Sequence, residues 1–131
     1  MAEENKKIKI LLVDDDRFLL DMYSIKFKSS GFDIETVSGS AEALKKLREG
    51  TNPDVVLLDI IMPGMDGLEL LKTIREEKLA PASVVIMLTN QPDEMEKAKM
   101  LGADGYIVKA VNIPSEVVSK VIEIYKKKNA K

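Results

Sequence analysis

The chain has 131 residues, 20 of them basic and 22 acidic, and contains neither cysteine nor histidine. That length suits one domain that buries roughly two-thirds of its unfolded surface, and the near-neutral charge balance carries no nucleic-acid signature. Without thiols or imidazoles the chain can form no disulfide, no thiolate or His-ligated zinc site and no phosphohistidine of its own, so phosphoryl, metal or proton chemistry falls to carboxylates, Lys, Thr, Ser or Tyr.

Residues 1–7 are polar and are expected to form a loose terminus. Residues 8–13 (IKILLV) read as a first strand, followed at once by Asp14, Asp15 and Asp16. Phe18, Met22 and Ile25, with Leu19 and Tyr23 beside them, predict an amphipathic helix ending near Gly31. Residues 32–37 alternate apolar and polar, as a half-exposed edge strand does. Ser38-Gly39-Ser40 then turns and caps a helix that ends at Gly50, with Ala41, Leu44 and Leu47 as its apolar stripe.

Asn52-Pro53 leads into Val55, Val56, Leu57 and Leu58, a strand buried on both faces, which ends in Asp59. Pro63 and Gly64 prevent its continuation. Asp66 and Glu69 form a capping pair for a helix over Leu68, Leu71 and Ile74. Residues 84–88 (VVIML) are another buried strand, closed by Thr89-Asn90. Pro92 and Asp93 open a helix that stops at Gly102, and residues 105–108 make a short strand ending in Lys109. Asn112 and Pro114 introduce a last helix with Val117, Val118, Val121, Ile122 and Tyr125 on one face. The final KKKNAK reads as a solvated tail, favourably basic at a helix C-terminus.

Five strands alternating with five helices predict a doubly wound α/β domain with a parallel sheet, a single domain across residues 1–131. In such a sheet the ligand site lies beyond the carboxyl ends of the strands. Those ends carry Asp14-Asp15-Asp16, Asp59, Thr89-Asn90 and Lys109, so the polar groups arrive at one rim. Each has a plainer explanation when taken alone. Asp16 can cap the following helix, Asp59 can serve a turn, Thr89-Asn90 can cap, and a lone lysine is usually solvated. Capping needs one carboxylate, however, and Asp14, Asp15 and Asp59 side by side repel unless a cation sits among them. Oxygen ligands in this number suit a hard ion such as Mg²⁺. A carboxylate beside a metal can also act as a nucleophile, with aspartyl phosphate as the product.

The segments ILLVDDD, DVVLLDIIMPGMDG, VVIMLTN and LGADGYIVKA closely resemble the receiver domain of two-component response regulators. The resemblance spans about residues 8–126 and is chemotaxis-regulator-like, that of a stand-alone unit. It implies a flavodoxin-like fold with strand order 2-1-3-4-5. It implies further that Asp59 is the phosphoacceptor and that Asp15 binds Mg²⁺ (or Mn²⁺) directly. Asp14 would act through water, Asp59 would also serve as a ligand, and Ile61 would contribute its backbone carbonyl. Thr89 would meet the phosphoryl group, Lys109 would pair with it, and Tyr106 would be the aromatic that rotates inward as Thr89 moves.

Three positions depart from the family's pattern. Ala110 stands where a cis proline usually follows the lysine; a cis bond there costs about 3 kcal/mol, and a trans bond would shift Lys109. Ile61 and Gln91 occupy variable positions that tune phosphoryl lifetime, and apolar Ile61 is expected to shield the acyl phosphate from water. Gly105 replaces an acid often found in DNA-binding relatives, which argues against their symmetric dimer.

By this resemblance the chain is a signalling phosphoacceptor, limited as an enzyme to its own phosphorylation and dephosphorylation. Its donor would be a sensor histidine kinase or a phosphotransfer protein, and a downstream protein would bind the 93–126 face. A monomer, or a weak phosphorylation-dependent dimer, is expected, with no direct nucleic-acid contact. No apolar run reaches the length of a membrane span and the start lacks a signal-peptide core, so no membrane contact and a cytoplasmic location are expected. Two rival readings remain at this point. Asp14-Asp15-Asp16 also satisfies the strand-Asp-x-Asp pattern of haloacid-dehalogenase-like phosphatases, with Asp14 as nucleophile. A receiver fold that signals through protein contacts alone, without phosphorylation, is the other.

Overall fold

The most aliphatic runs of the chain become its central strands. In the computed structural model, which describes residues 7–130, β1 (Lys9–Val13), β3 (Val55–Leu58) and β4 (Val84–Thr89) lie side by side, flanked by β2 (Asp33–Val37) and β5 (Gly105–Val108). All pairings are parallel and the order is β2-β1-β3-β4-β5, as the resemblance implies. The helices are α1 (Arg17–Ser29), α2 (Ser40–Arg48), α3 (Gly67–Glu76), α4 (Met95–Met100) and α5 (Pro114–Asn129).

Side chains alternate across each strand, which divides the core into two layers. Leu11, Val13, Val56, Leu58, Val85 and Met87 pack with the buried faces of α2, α3 and α4. Ile10, Leu12, Val55, Leu57, Val84 and Ile86 pack with those of α1 and α5. Every residue of β3 is buried, as a strand covered by helices on both sides requires.

Several boundaries and faces differ from the sequence reading. In α1 the buried residues are Leu20, Tyr23 and Phe27, while Phe18 and Ile25 are 73% and 71% exposed. Two apolar stripes interleave along this helix at the same spacing, so periodicity could not choose between them. Phe27 chooses, because its ring meets Phe32 edge-to-face at 5.2 Å across the turn into β2. In α2 the buried alanine is Ala43, and Ala41 is exposed.

Ser40 does not cap α2. It is the first helical residue, and the cap position belongs to Gly39, which offers no side chain. Glu42 instead reaches back to the Ser38 N–H at 3.1 Å. The helix after β4 is shorter than expected: residues 92 and 93 form a turn, and α4 runs only from Met95 to Met100. Only Ala98 of that helix is buried, so little burial is available to extend it. Asn112 does not cap α5 either; its side-chain amide donates to the Val108 carbonyl at 2.8 Å. α5 continues through Asn129, so Lys126, Lys127 and Lys128 form its last turn, where cations oppose the exposed carbonyls. The expectations for residues 1–6 and for Lys131 lie outside the described residues.

The Asp66–Glu69 capping box is present, with the Glu69 N–H donating to Asp66 at 2.9 Å and the Asp66 N–H donating to Glu69 at 3.0 Å. It starts α3 immediately after the loop that follows β3. At Gly105 a Cβ would meet Ile124 Cδ1 at 2.6 Å, the far end of a side chain that can turn aside.

Candidate functional site

Four of the five strands deliver a polar side chain to the carboxyl rim of the sheet. After β1 comes Asp14, 2% exposed. Its backbone N–H donates to the Val37 carbonyl, and one carboxylate oxygen accepts the Asp16 N–H at 2.9 Å. Asp16 caps α1, accepting the Leu19 N–H at 3.2 Å. Asp15, between them, is exposed. After β3 comes Asp59, 8% exposed, with one oxygen accepting the Ile60 N–H at 2.9 Å. β4 ends in the fully buried Thr89, and Lys109 follows β5.

The carboxylates of Asp14, Asp15 and Asp59 converge, each offering an oxygen within 4.8 Å of the others. Lys109 reaches into this group, its ammonium 2.7 Å from Asp14 and 3.7 Å from Asp59. One cation therefore serves two buried acids. The consequence falls on Asp59, whose pKa is raised above the ordinary carboxylate range. Burial is the main cause and the neighbouring Asp14 charge adds to it, while Lys109, the Thr89 hydroxyl and the Ile60 N–H pull the other way. Tyr23, packed beneath, has its phenol pushed up by burial and by the charge of Asp14.

Three hard oxygen donors, crowded together and short of positive charge, fit a divalent cation of the Mg²⁺ kind. The convergence of these three carboxylates on a single ammonium is the observation that carries the fit. Asp14 engages Lys109 through one carboxylate oxygen and the Asp16 N–H through the other.

Ala110 does not pull Lys109 away from the acids. No peptide bond among the described residues is cis, and Lys109–Val111 forms a short 3-10 turn with the ammonium still inside the acid group. The lysine lies closer to Asp14 than to Asp59, which its sequence position did not reveal. Ile61 stands with its side chain largely in solvent, 61% exposed. Tyr106 is set apart from the acids. Its hydroxyl donates to the Gln91 carbonyl, and the Gln91 N–H donates to Thr89 Oγ1 at 3.3 Å, so a single residue, Gln91, joins Thr89 to Tyr106.

A family model for the response regulator receiver domain matches residues 10–121. The chain belongs to that family. As a receiver domain it is 37% identical, over 121 residues, to the alkaline phosphatase synthesis transcriptional regulatory protein PhoP of Bacillus subtilis; the match covers 91% of this chain and 49% of that protein. It is also 37% identical over 115 residues to the DNA-binding response regulator MtrA of Mycobacterium tuberculosis, covering 86% of this chain and 48% of the relative. The chain thus spans about half the length of these relatives.

Among solved structures, a CheY-like receiver domain protein from Methanospirillum hungatei superposes with a TM-score of 0.83 at 30% identity, covering 94% of this chain and 97% of that one. The response regulator TrrA of Thermotoga maritima, solved with Mg²⁺ and BeF, gives 0.78 at 35% identity, covering 91% and 99%. The family match removes the ground for the phosphatase reading.

Two contributors to this receiver domain's site were missed by reading the sequence. Gly67 is one: a Cβ there would sit 1.9 Å from the Asp59 carbonyl oxygen, so only glycine lets α3 start this close to the Asp59 backbone. Its N–H also donates to the Ile60 carbonyl at 2.8 Å. The signal was present in PGMDG, where a second glycine follows a residue already placed to cap. Ser40 is the other: its hydroxyl donates to the Met65 carbonyl, a contact between elements that sequence spacing does not relate. Among the described residues no helix is long and apolar enough to cross a membrane.

Proposed function

We propose that Asp59 is the phosphoacceptor of this receiver domain and that the fold converts its phosphorylation into a change of partner-binding surface. One Asp59 oxygen attacks the phosphorus of a phosphohistidine on a sensor histidine kinase or phosphotransfer protein. The P–N bond breaks, and its electron pair stays with the donor's imidazole. Asp14, Asp15, Asp59 and the Ile61 carbonyl would hold Mg²⁺, or Mn²⁺ in its place. When bound, that ion supplies positive charge against the acids and the transferred oxygens. The observation that carries this reading is the convergence of three carboxylates around a single buried ammonium.

The remaining residues each have a task in that reaction. Lys109, poised between Asp14 and Asp59, offers its ammonium to the phosphoryl oxygens. Thr89 turns its hydroxyl toward the same oxygens, giving up the bond that it accepts from Gln91. That loosens Gln91, the residue to whose carbonyl the Tyr106 hydroxyl is tied, freeing the ring to move inward. The resulting change falls on residues 93–126, where a downstream protein would bind. Self-dephosphorylation, by water attacking the acyl phosphate, resets the switch.

Incubation with acetyl phosphate and Mg²⁺ followed by intact-mass measurement tests the proposal. The wild type is expected to gain one phosphoryl group, while Asp59→Asn, or wild type with EDTA, gains none. A phosphoryl group that persists in Asp59→Asn would refute it.

A further inference from the structure

The end of β2 and the start of α2 contribute no acid, yet they touch both loops that do. On one side the Asp14 N–H donates at 3.3 Å to the carbonyl of Val37, the last residue of β2, which ties the strand end to the acids after β1. On the other side the Ser40 hydroxyl donates to the Met65 carbonyl at 2.7 Å. Met65 belongs to the loop that begins at Asp59 and contains Ile61.

Ser40 is 4% exposed and its hydroxyl leaves its own helix altogether. A serine at a helix start ordinarily satisfies the helix's own N–H groups. Here the hydroxyl spans 25 positions of sequence to hold a loop instead. That loop contains Gly64 at φ +77°, where the missing Cβ leaves the backbone a wide choice of conformations, so an outside fastening matters.

From these contacts we infer that Ser40 is a positioning residue, which sets the separation of the two loops whose oxygens would hold the divalent cation and so raises cation affinity without touching the ion. The inference rests on the acid-cluster reading given under the proposed function. Mg²⁺ demands close, near-octahedral oxygen geometry, so a small spreading of its ligands is felt as weaker binding. Groups that orient ligands from outside the first layer commonly change metal affinity by about 10- to 100-fold. Ser40 lies one step further out, and an effect of roughly three- to tenfold is expected.

The structure supplies a matched control. Ser83, 3% exposed, donates its hydroxyl to the Pro53 carbonyl at the opposite end of the sheet. Isothermal titration of the unphosphorylated protein with MgCl₂ should find Ser40→Ala roughly three- to tenfold weaker than wild type, with Ser83→Ala unchanged. Thermal unfolding in EDTA, run in parallel, should show both variants folded and both lowered in Tm. A Ser40→Ala variant that loses Tm and binds Mg²⁺ like wild type overturns the inference alone, because Ser40 is then merely structural. An equal weakening in Ser83→Ala also overturns it. A wild type that binds no Mg²⁺ overturns both the inference and the acid-cluster reading beneath it. Ser40→Gly, which removes the same hydroxyl, repeats the measurement should Ser40→Ala not fold.

Discussion

The two ends of this sheet both gather acids and bases, and they treat them in opposite ways. At the amino end, Asp104 accepts the Val85 N–H at 2.9 Å and pairs with Arg75 at 3.1 Å and Lys128 at 2.9 Å. Asp54 there accepts the Lys9 N–H at 2.9 Å. One acid has two cations, and Arg75 also donates twice to the Gly102 carbonyl. At the carboxyl end, Asp14 and Asp59 share one lysine, and Asp15 adds a third carboxylate. Charge is matched where only the fold is at stake. It is left unmatched at the rim that carries the proposed phosphoacceptor site.

Removing the lysine should enlarge that contrast most. Lys109→Ala leaves two buried acids without a counter-charge, a loss of about 3 kcal/mol measured by urea unfolding in EDTA. Millimolar Mg²⁺ should recover part of that loss, because the ion replaces the missing charge. At the amino end, Arg75→Ala should cost roughly 2 kcal/mol, with Lys128 and the Val85 N–H still serving Asp104. Mg²⁺ should recover none of it. Equal recovery in the two variants would erase the distinction between the ends.

Neutralising Asp59 should act in the opposite direction. Asp59 has a raised pKa in the folded state, so that state binds the proton more tightly than the unfolded chain does. The stability that protonation contributes is complete below the ordinary carboxylate value, about 3.9, and is lost as pH rises through the raised pKa. Asp59→Asn cannot ionise. In EDTA near pH 7 it should be more stable than wild type by on the order of 1 kcal/mol, about 3–5 °C in Tm. That gap should close as the pH is lowered, as protons quiet Asp59 among Asp14, Asp15 and Lys109. A gap that widens toward acid would contradict the assignment. The smallest effect expected is kinetic: Ile61→Asn should shorten the acyl-phosphate lifetime about two- to fivefold, because a polar side chain beside the acceptor can orient water. An unchanged lifetime would remove any shielding role from Ile61.

The sheet and its rim were legible because two codes coincide. Aliphatic runs announce buried parallel strands, and each central run stops at a polar residue that cannot continue it, as at Val13-Asp14, Leu58-Asp59 and Leu88-Thr89. Direction along a parallel sheet then places all of those stops together. What escaped was set by packing between elements. Phe18 and Ile25 share a helical stripe as regular as that of Leu20 and Phe27, and only the edge contact with Phe32 decides which is buried. The choice Lys109 makes between Asp14 and Asp59, and the reach of Ser40 to Met65, are likewise three-dimensional facts without a local sequence signature.

The ion pair between Lys109 and Asp14 joins residues 95 positions apart. It therefore cannot form until the last strand has docked, late in synthesis and late in any refolding that builds the sheet outward from its centre. A growing chain holds its acids from residue 59 onward and gains the lysine that pairs with them only fifty residues later, with the residues of α5 still to be added.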